Sequence, residues 1–302
     1  MNDFFLMRPL PAGACLGVVA PAGPPKPGVL EQVAPLIEQL GFRAKLFPGC
    51  AGPAQLGHLA AADAQRLADL HAAFADPEVD AVLCLRGGYG CIRLLDGLDL
   101  ALLKRHPKPL IGYSDITSLH GALDRLGLPA WHAPMPASDW IDKGPSGLDD
   151  ARRLAAQLQR GLRTGDVLAP EDLPAHPLSQ GERARGRLIG GNLSVLVSSL
   201  GTRWMPDARG AILFLEDIAE DPYRVDRYLA QLRLAGVLDA AAGFLIGSFS
   251  DAEAPDAVLA DYLPQLGKPI LAGWPSGHCC PNLPLPLGVP LTLDVAGRCL
   301  RM

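Results

Sequence analysis

No apolar run in this chain of 302 residues approaches the roughly 18 consecutive positions a helical membrane span needs. Positive charge is also short: 27 Lys and Arg stand against 32 Asp and Glu, for a net charge of −5. A nucleic acid or an anionic membrane demands a basic surface, so neither is expected as a partner. There is no C-x-x-C, no H-x-x-x-H and no H-E-x-x-H, which argues against a zinc ribbon, a thioredoxin-type redox pair or a metalloprotease. The cysteines number seven, an odd count, and most sit in apolar segments; free thiols in a reducing compartment are the expectation. No basic residue precedes the short apolar patch at residues 4–7, so a signal peptide is not expected and a cytoplasmic location is.

What is present is material for a large core. Hydrophobic residues make up 49% of the chain and charged residues 20%, a balance that favours a globular fold over disorder. The 33 Gly and 29 Pro are scattered rather than repeated, which suggests many tight connections. Strand-like and helix-like periods alternate through the first half. Residues 14–20, 42–47, 80–85 and 109–113 read as strands; residues 29–40, 61–74 and 116–126 read as helices, with a further helix running toward Leu95. Such alternation predicts a parallel sheet covered on both faces. Punctuation by Pro, Gly and Asp then breaks the pattern. The expected organisation is an N-terminal α/β domain over residues 1–160, a linker over 161–183 and a C-terminal domain over 184–302. In the second half, residues 211–216, 243–247 and 289–300 read as strands, and 193–200 and 222–235 as helices.

Chemistry concentrates at two strand ends. In Leu110-Ile111-Gly112-Tyr113-Ser114-Asp115-Ile116 a buried strand stops, a serine occupies the turn and a helix begins at once. That arrangement lifts a hydroxyl out at the C-terminal edge of a sheet beside free helix N–H groups. The same serine would also serve as a plain helix cap. Arg86-Gly87-Gly88-Tyr89-Gly90 closes the preceding strand, and its glycines let backbone amides approach a ligand. Together the Gly88 and Asp115 N–H groups form a candidate oxyanion hole. The glycine run does not fit G-x-G-x-x-G and no Walker lysine follows, which weakens a nucleotide-loop reading. A serine nucleophile needs a base and an acid to orient it. His132 and His278 are the candidates near turns, and Glu216, closing a buried run, is the acid, with Asp217 its alternative.

Residues 61–98, including Arg86-Gly87-Gly88-Tyr89-Gly90, resemble the N-terminal half of the LD-carboxypeptidases, serine peptidases that trim murein tetrapeptides. Gly112-Tyr113-Ser114-Asp115-Ile116-Thr117 is similar to that family's nucleophile motif. Gly190-Gly191-Asn192-Leu193, Leu215-Glu216-Asp217 and Ser276-Gly277-His278 are similar to its C-terminal signatures, in the right order. One departure is Ala133, where the family usually has glycine. The resemblance implies a flavodoxin- or Rossmann-like parallel-sheet domain and a smaller C-terminal α/β domain rich in strands, meeting around the site. It implies Ser114 as nucleophile, His278 as general base, Glu216 as its orienting partner, and Gly88 and Asp115 as oxyanion donors. Arg86, Tyr89 and Asn192, inside the matched motifs, are expected to touch substrate, with Arg203 and Arg224 rivals for a terminal carboxylate. No cofactor and no metal are implied; a small peptide or muropeptide substrate and a homodimer are. The activity implied is release of the terminal D-alanine of murein tetrapeptides in peptidoglycan recycling. Two other readings stay open. One is an immunity-type peptidase that cleaves aminoacyl-nucleotide antibiotics, with Trp204 or Trp274 as a base-stacking platform. The other is a non-catalytic muropeptide-binding module. The resemblance gives Cys279 and Cys280 no role.

Overall fold

The computed structural model describes residues 5–302. Its first half contains strands β1 (Phe5–Met7), β2 (Cys15–Val19), β3 (Arg43–Leu46), β4 (Ala81–Cys84), β5 (Leu110–Gly112), β6 (Ala130–His132), β7 (Leu162–Arg163) and β8 (Val167–Leu168). Strands β9 (Arg183–Asn192), β10 (Ile212–Ile218), β11 (Gly243–Ser250), β12 (Ile270–Leu271), β13 (Leu285–Leu287), β14 (Pro290–Asp294) and β15 (Cys299–Arg301) follow. The helices that matter for the site are α1 (Leu30–Gln39), α2 (Asp63–Ala75), α3 (Leu100–Arg105), α4 (Thr117–Leu126), α5 (Gly144–Arg160), α6 (Leu193–Ser198) and α7 (Pro222–Leu234).

Two sheets carry the architecture. The first has the order β13-β6-β5-β4-β2-β3, parallel throughout except for β13. Its five parallel strands are doubly wound, with the order reversing between β2 and β4, where ligands bind in open α/β sheets. Apart from the edge strand β3, the strands are short and almost wholly buried, as the apolar runs dictate: Ala81–Cys84 and Leu110–Gly112 have no exposed residue. The second sheet, β12-β11-β10-β9-β14-β15-β8, is parallel on one side of β9 and antiparallel on the other. The fold class read from the sequence is therefore the one found.

The chain crosses between the sheets more than once. β13 leaves the second half to pair antiparallel with β6, Leu285 opposite His132. One apolar cluster runs through both halves, joining Tyr113 and Leu123 to Leu188 and Phe214. Where the sequence suggests a helix toward Leu95, the backbone instead winds as a 3₁₀ segment over Cys91–Gly97. Among the described residues no helix is long and apolar enough to cross a membrane. All seven cysteines are free, and five of them are buried.

Candidate active site

Ser114 is separated from the end of β5 by one residue and sits at φ 63, a left-handed conformation unusual for a residue with a side chain. A single 3₁₀ turn, Ser114–Ile116, leads from it into α4. The strain is held from both sides. An ideal Cβ on Gly87 would stand 2.8 Å from Ser114 Cβ and 2.9 Å from its Oγ, so glycine alone lets the loop after β4 press against the serine. The same Cβ would lie 3.6 Å from the Asp115 amide nitrogen. The two strand ends singled out in the sequence are thus in contact. Asp115 itself turns inward, its buried carboxylate accepting from the Cys91 N–H at 2.8 Å. This bond ties the serine turn to the segment that follows the glycine run.

On the other side of the cavity stand a histidine and its carboxylate. Glu216 is fully buried near the end of β10, where the strand slips register against β11 between Leu215 and Asp217. A bulge of this kind re-aims side chains. Glu216 Oε2 accepts from the His278 ring at Nδ1, 2.8 Å, and from the His278 backbone N–H, 3.2 Å. The approach is close enough that a Cβ on Gly277, at φ 112, would lie 2.5 Å from that oxygen. Loop residues around His278 are pinned by both halves of the chain: Asp150 of α5 accepts from Asn282 N at 3.1 Å, and Ser250 donates to the His278 carbonyl at 2.7 Å. Burial favours the neutral His278 ring, but the Glu216 charge and hydrogen bond outweigh it, with Asp139 and Asp217 adding. The His278 pKa is therefore raised. Asp217 is differently employed. It accepts from Asn192 Nδ2 at 2.7 Å, Ile218 N at 2.9 Å and Ser194 N at 2.8 Å, and burial pushes its carboxyl up to about 6.

Ser114, His278, Arg86 and Gly88 line one cavity of about 500 Å³. No hydrogen bond joins Ser114 Oγ to His278 among the described residues; such contacts commonly tighten only when substrate is bound. Tyr113 packs beneath, its ring 4.7 Å from that of His278, its hydroxyl donating to the buried Asp139 at 2.7 Å. The Arg86 guanidinium donates to the Pro24 carbonyl at 2.9 Å and has no carboxylate partner among the described residues. Lys143, which no sequence pattern singled out, lines the same cavity but is paired with Asp139 at 2.7 Å.

Other residues expected near a ligand lie elsewhere. Tyr89 is exposed, its ring 5.6 Å from that of His58. Asn192 is buried as the N-cap of α6, accepting from Val195 N at 3.1 Å. Arg203 is paired with Asp96 at 3.0 Å in a separate cleft of about 620 Å³ that also holds Trp204. Arg224 lies beside Glu220 at 3.6 Å, and Trp274 is buried. His132 is enclosed between Tyr113 and Phe214, and His120 is buried too; burial lowers both, His120 to about 3.

Comparison with known proteins decides the family. Residues 16–133 match the LD-carboxypeptidase N-terminal domain, and residues 185–293 match the LD-carboxypeptidase C-terminal domain. The chain belongs to the LD-carboxypeptidase family. It is a serine-type LD-carboxypeptidase, as the sequence resemblance implied. A "probable murein peptide carboxypeptidase" of Bacillus subtilis is 42% identical over 96% of this chain and 92% of its own length. The murein tetrapeptide carboxypeptidase of Pseudomonas aeruginosa is 36% identical, covering 94% of each chain. Among solved structures, the muramoyltetrapeptide carboxypeptidase of Oxalobacter formigenes superposes with a TM-score of 0.81 at 29% identity, over 95% of this chain and 97% of that one. MccF, solved with glutamyl sulfamoyl guanosine, has the same fold, with a TM-score of 0.87 over 99% and 98% of the two chains at 23% identity.

Proposed function

We propose that this LD-carboxypeptidase releases the terminal D-alanine from murein tetrapeptides, cutting the amide between an L-centre and that D-residue. The observation that carries the residue assignment is the convergence on one cavity of Ser114, at φ 63, and His278, held at 2.8 Å by buried Glu216. Ser114 Oγ attacks the carbonyl carbon of the L-residue while His278 Nε2 takes its proton. The Gly88 and Asp115 N–H groups receive the developing oxyanion. Collapse of the tetrahedral intermediate breaks the C–N bond, and His278 gives its proton to the departing D-alanine amine. Water, deprotonated by the same imidazole, then attacks the acyl-serine and restores the hydroxyl. Glu216 holds the ring in the tautomer that leaves Nε2 free as a base. Arg86, the cavity cation without a carboxylate partner among the described residues, takes the terminal carboxylate of the substrate. Peptidoglycan recycling in the cytoplasm by a homodimer is part of this reading, and sedimentation equilibrium checks the dimer.

The deciding experiment incubates the purified protein and Ser114→Ala with a murein tetrapeptide and, separately, with an aminoacyl sulfamoyl-adenosine, each followed by mass spectrometry. D-Alanine release by the wild type alone is the expected result. Cleavage of the adenosine compound alone would move the chain to nucleotide-antibiotic immunity. Tetrapeptide binding without turnover in either protein would make it a binding module.

A further inference from the structure

Once each charge in the active-site cavity is matched with a partner, one carboxylate is left over. Asp251 lines the cavity together with Ser114 and His278, and among the described residues it is the only Asp or Glu that does so. It follows β11 directly, is exposed to solvent, and makes no hydrogen bond or ion pair among the described residues. Two of the other charged groups are occupied. Lys143 is neutralised by Asp139 at 2.7 Å, and His278 is held by Glu216 at 2.8 Å. Arg86 is the cation left for a carboxylate.

Backbone conformation makes the same position distinctive. Asp251 sits at φ 57 and Ala219, at the end of the adjacent strand β10, at φ 56. The two strand ends are stitched by Ala219 N donating to the Ser250 carbonyl at 2.8 Å. Aspartate is among the few side chains that tolerate such a turn, so the backbone can hold Asp251 there in a fixed place beside the cavity. Of the five described non-glycine residues at positive φ, Ser114, Ala219 and Asp251 gather at this site; Ile218, next to Ala219, is part of the cavity lining. Arg86 and Asp251 come from different sheets, Arg86 after β4 of the first and Asp251 after β11 of the second. The cavity is thus bipolar, with one free charge of each sign.

We propose that Asp251 determines specificity on the acyl side, pairing with a free ammonium on the side chain of the L-residue whose carbonyl Ser114 attacks. The ligand class is a peptide ending in an L-diamino acid followed by a D-amino acid, with the carboxylate at Arg86 and the ammonium at Asp251. This rests on the carboxypeptidase reading above, and the test separates the two.

Initial rates of D-alanine release are measured for the full chain on a tetrapeptide with L-lysine at the third position and on the same peptide with Nε-acetyl-lysine. The wild type is expected to favour the free amine in kcat/KM by about fivefold, the size of one solvent-accessible charge pair. The difference should lie mainly in KM and shrink as salt is raised. In Asp251→Asn the ratio is expected to fall to near one. Asp251→Gly, which suits the backbone, should lose the ratio likewise without loss of thermal stability, so a folding defect cannot imitate the result. Equal wild-type rates on both peptides, or a ratio kept in both variants, would overturn the assignment of Asp251 and leave the carboxypeptidase reading standing. Release from neither peptide by folded wild-type protein would overturn both.

Discussion

In the mechanism proposed above, a few atoms around His278 set the working pH of the site. His278 is nearly enclosed, which by itself would hold the ring neutral, but the Glu216 carboxylate raises its pKa. As a base the ring must be neutral, so activity should rise as pH climbs through a value above the usual imidazole range of about 6.5. In Glu216→Gln the burial remains and the charge is gone, so the acid limb of the kcat/KM profile should move to lower pH. The same variant should lower kcat by on the order of 10²–10⁴, because the tautomer is no longer fixed; a pH–rate profile checks both. Gly277→Ala attacks the same contact sterically. A methyl group 2.5 Å from Glu216 Oε2, on a backbone at φ 112, must push the loop away. Loss of most activity with a stability loss of about 1–3 kcal/mol is expected, read by kinetics and urea denaturation of the same preparation. Ser114, Glu216 and His278 could be named from the sequence because each sits in a short motif that resembles the family's; turn chemistry alone left His132 and Asp217 as rivals. Lys143 and Asp251 could not be named: they reach the cavity from the ends of distant elements, and nothing in their sequence neighbourhood records that.

At the scale of elements, β2, β3, β4 and β5 of the first sheet follow their apolar runs to within a residue or two. β4 at Ala81–Cys84 lies inside the run read at 80–85, and α2 at Asp63–Ala75 matches its helical period. Several elements escaped, and two of them show why. α5, the 17-residue helix Gly144–Arg160, opens with Gly-Pro-Ser-Gly, turn-forming residues that hide the apolar face continuing through Ala151, Leu154 and Leu158. β9 carries three Gly and three Arg in ten residues, a composition foreign to strands, and is built by its neighbours β10 and β14 rather than by its own propensity. α5 also braces the site. Gly147 stands so near the short turn at Pro136–Trp140 that a Cβ would fall 2.1 Å from the Asp139 carbonyl. Asp139 holds Tyr113 and Lys143, so Gly147→Ala should cost about 2 kcal/mol or more. A lowered urea midpoint with unchanged m-value would verify that cost.

For the whole molecule the question is how two sheets make one site. The halves are joined by backbone pairing as well as by side chains: β13 closes the edge of β6, Arg187 of β9 pairs with Asp124 of α4 at 2.8 Å, and Asn192 N donates to Thr117 Oγ1 at 3.1 Å. A fragment of residues 1–160 would therefore expose β6 as an unpaired edge along with the apolar surface that meets Leu188 and Phe214. Such a fragment is expected to aggregate or to unfold well below the full chain, as circular dichroism and light scattering would reveal. The sequence by itself determined the fold class and the alternation of strands and helices in the first half, because periodicity is a local property; it offered Ser114, Glu216 and His278 for the reaction through resemblance to a family's motifs. Tertiary structure alone decided the rest. It selected Arg86 over Arg203 and Arg224 for the cavity and turned Asn192 and Asp217 inward as mutual partners. It also carried Asp251 from the second sheet to a cavity that opens beside the first. Those outcomes depend on which strand ends meet in space, and that is set by packing between residues far apart in the chain.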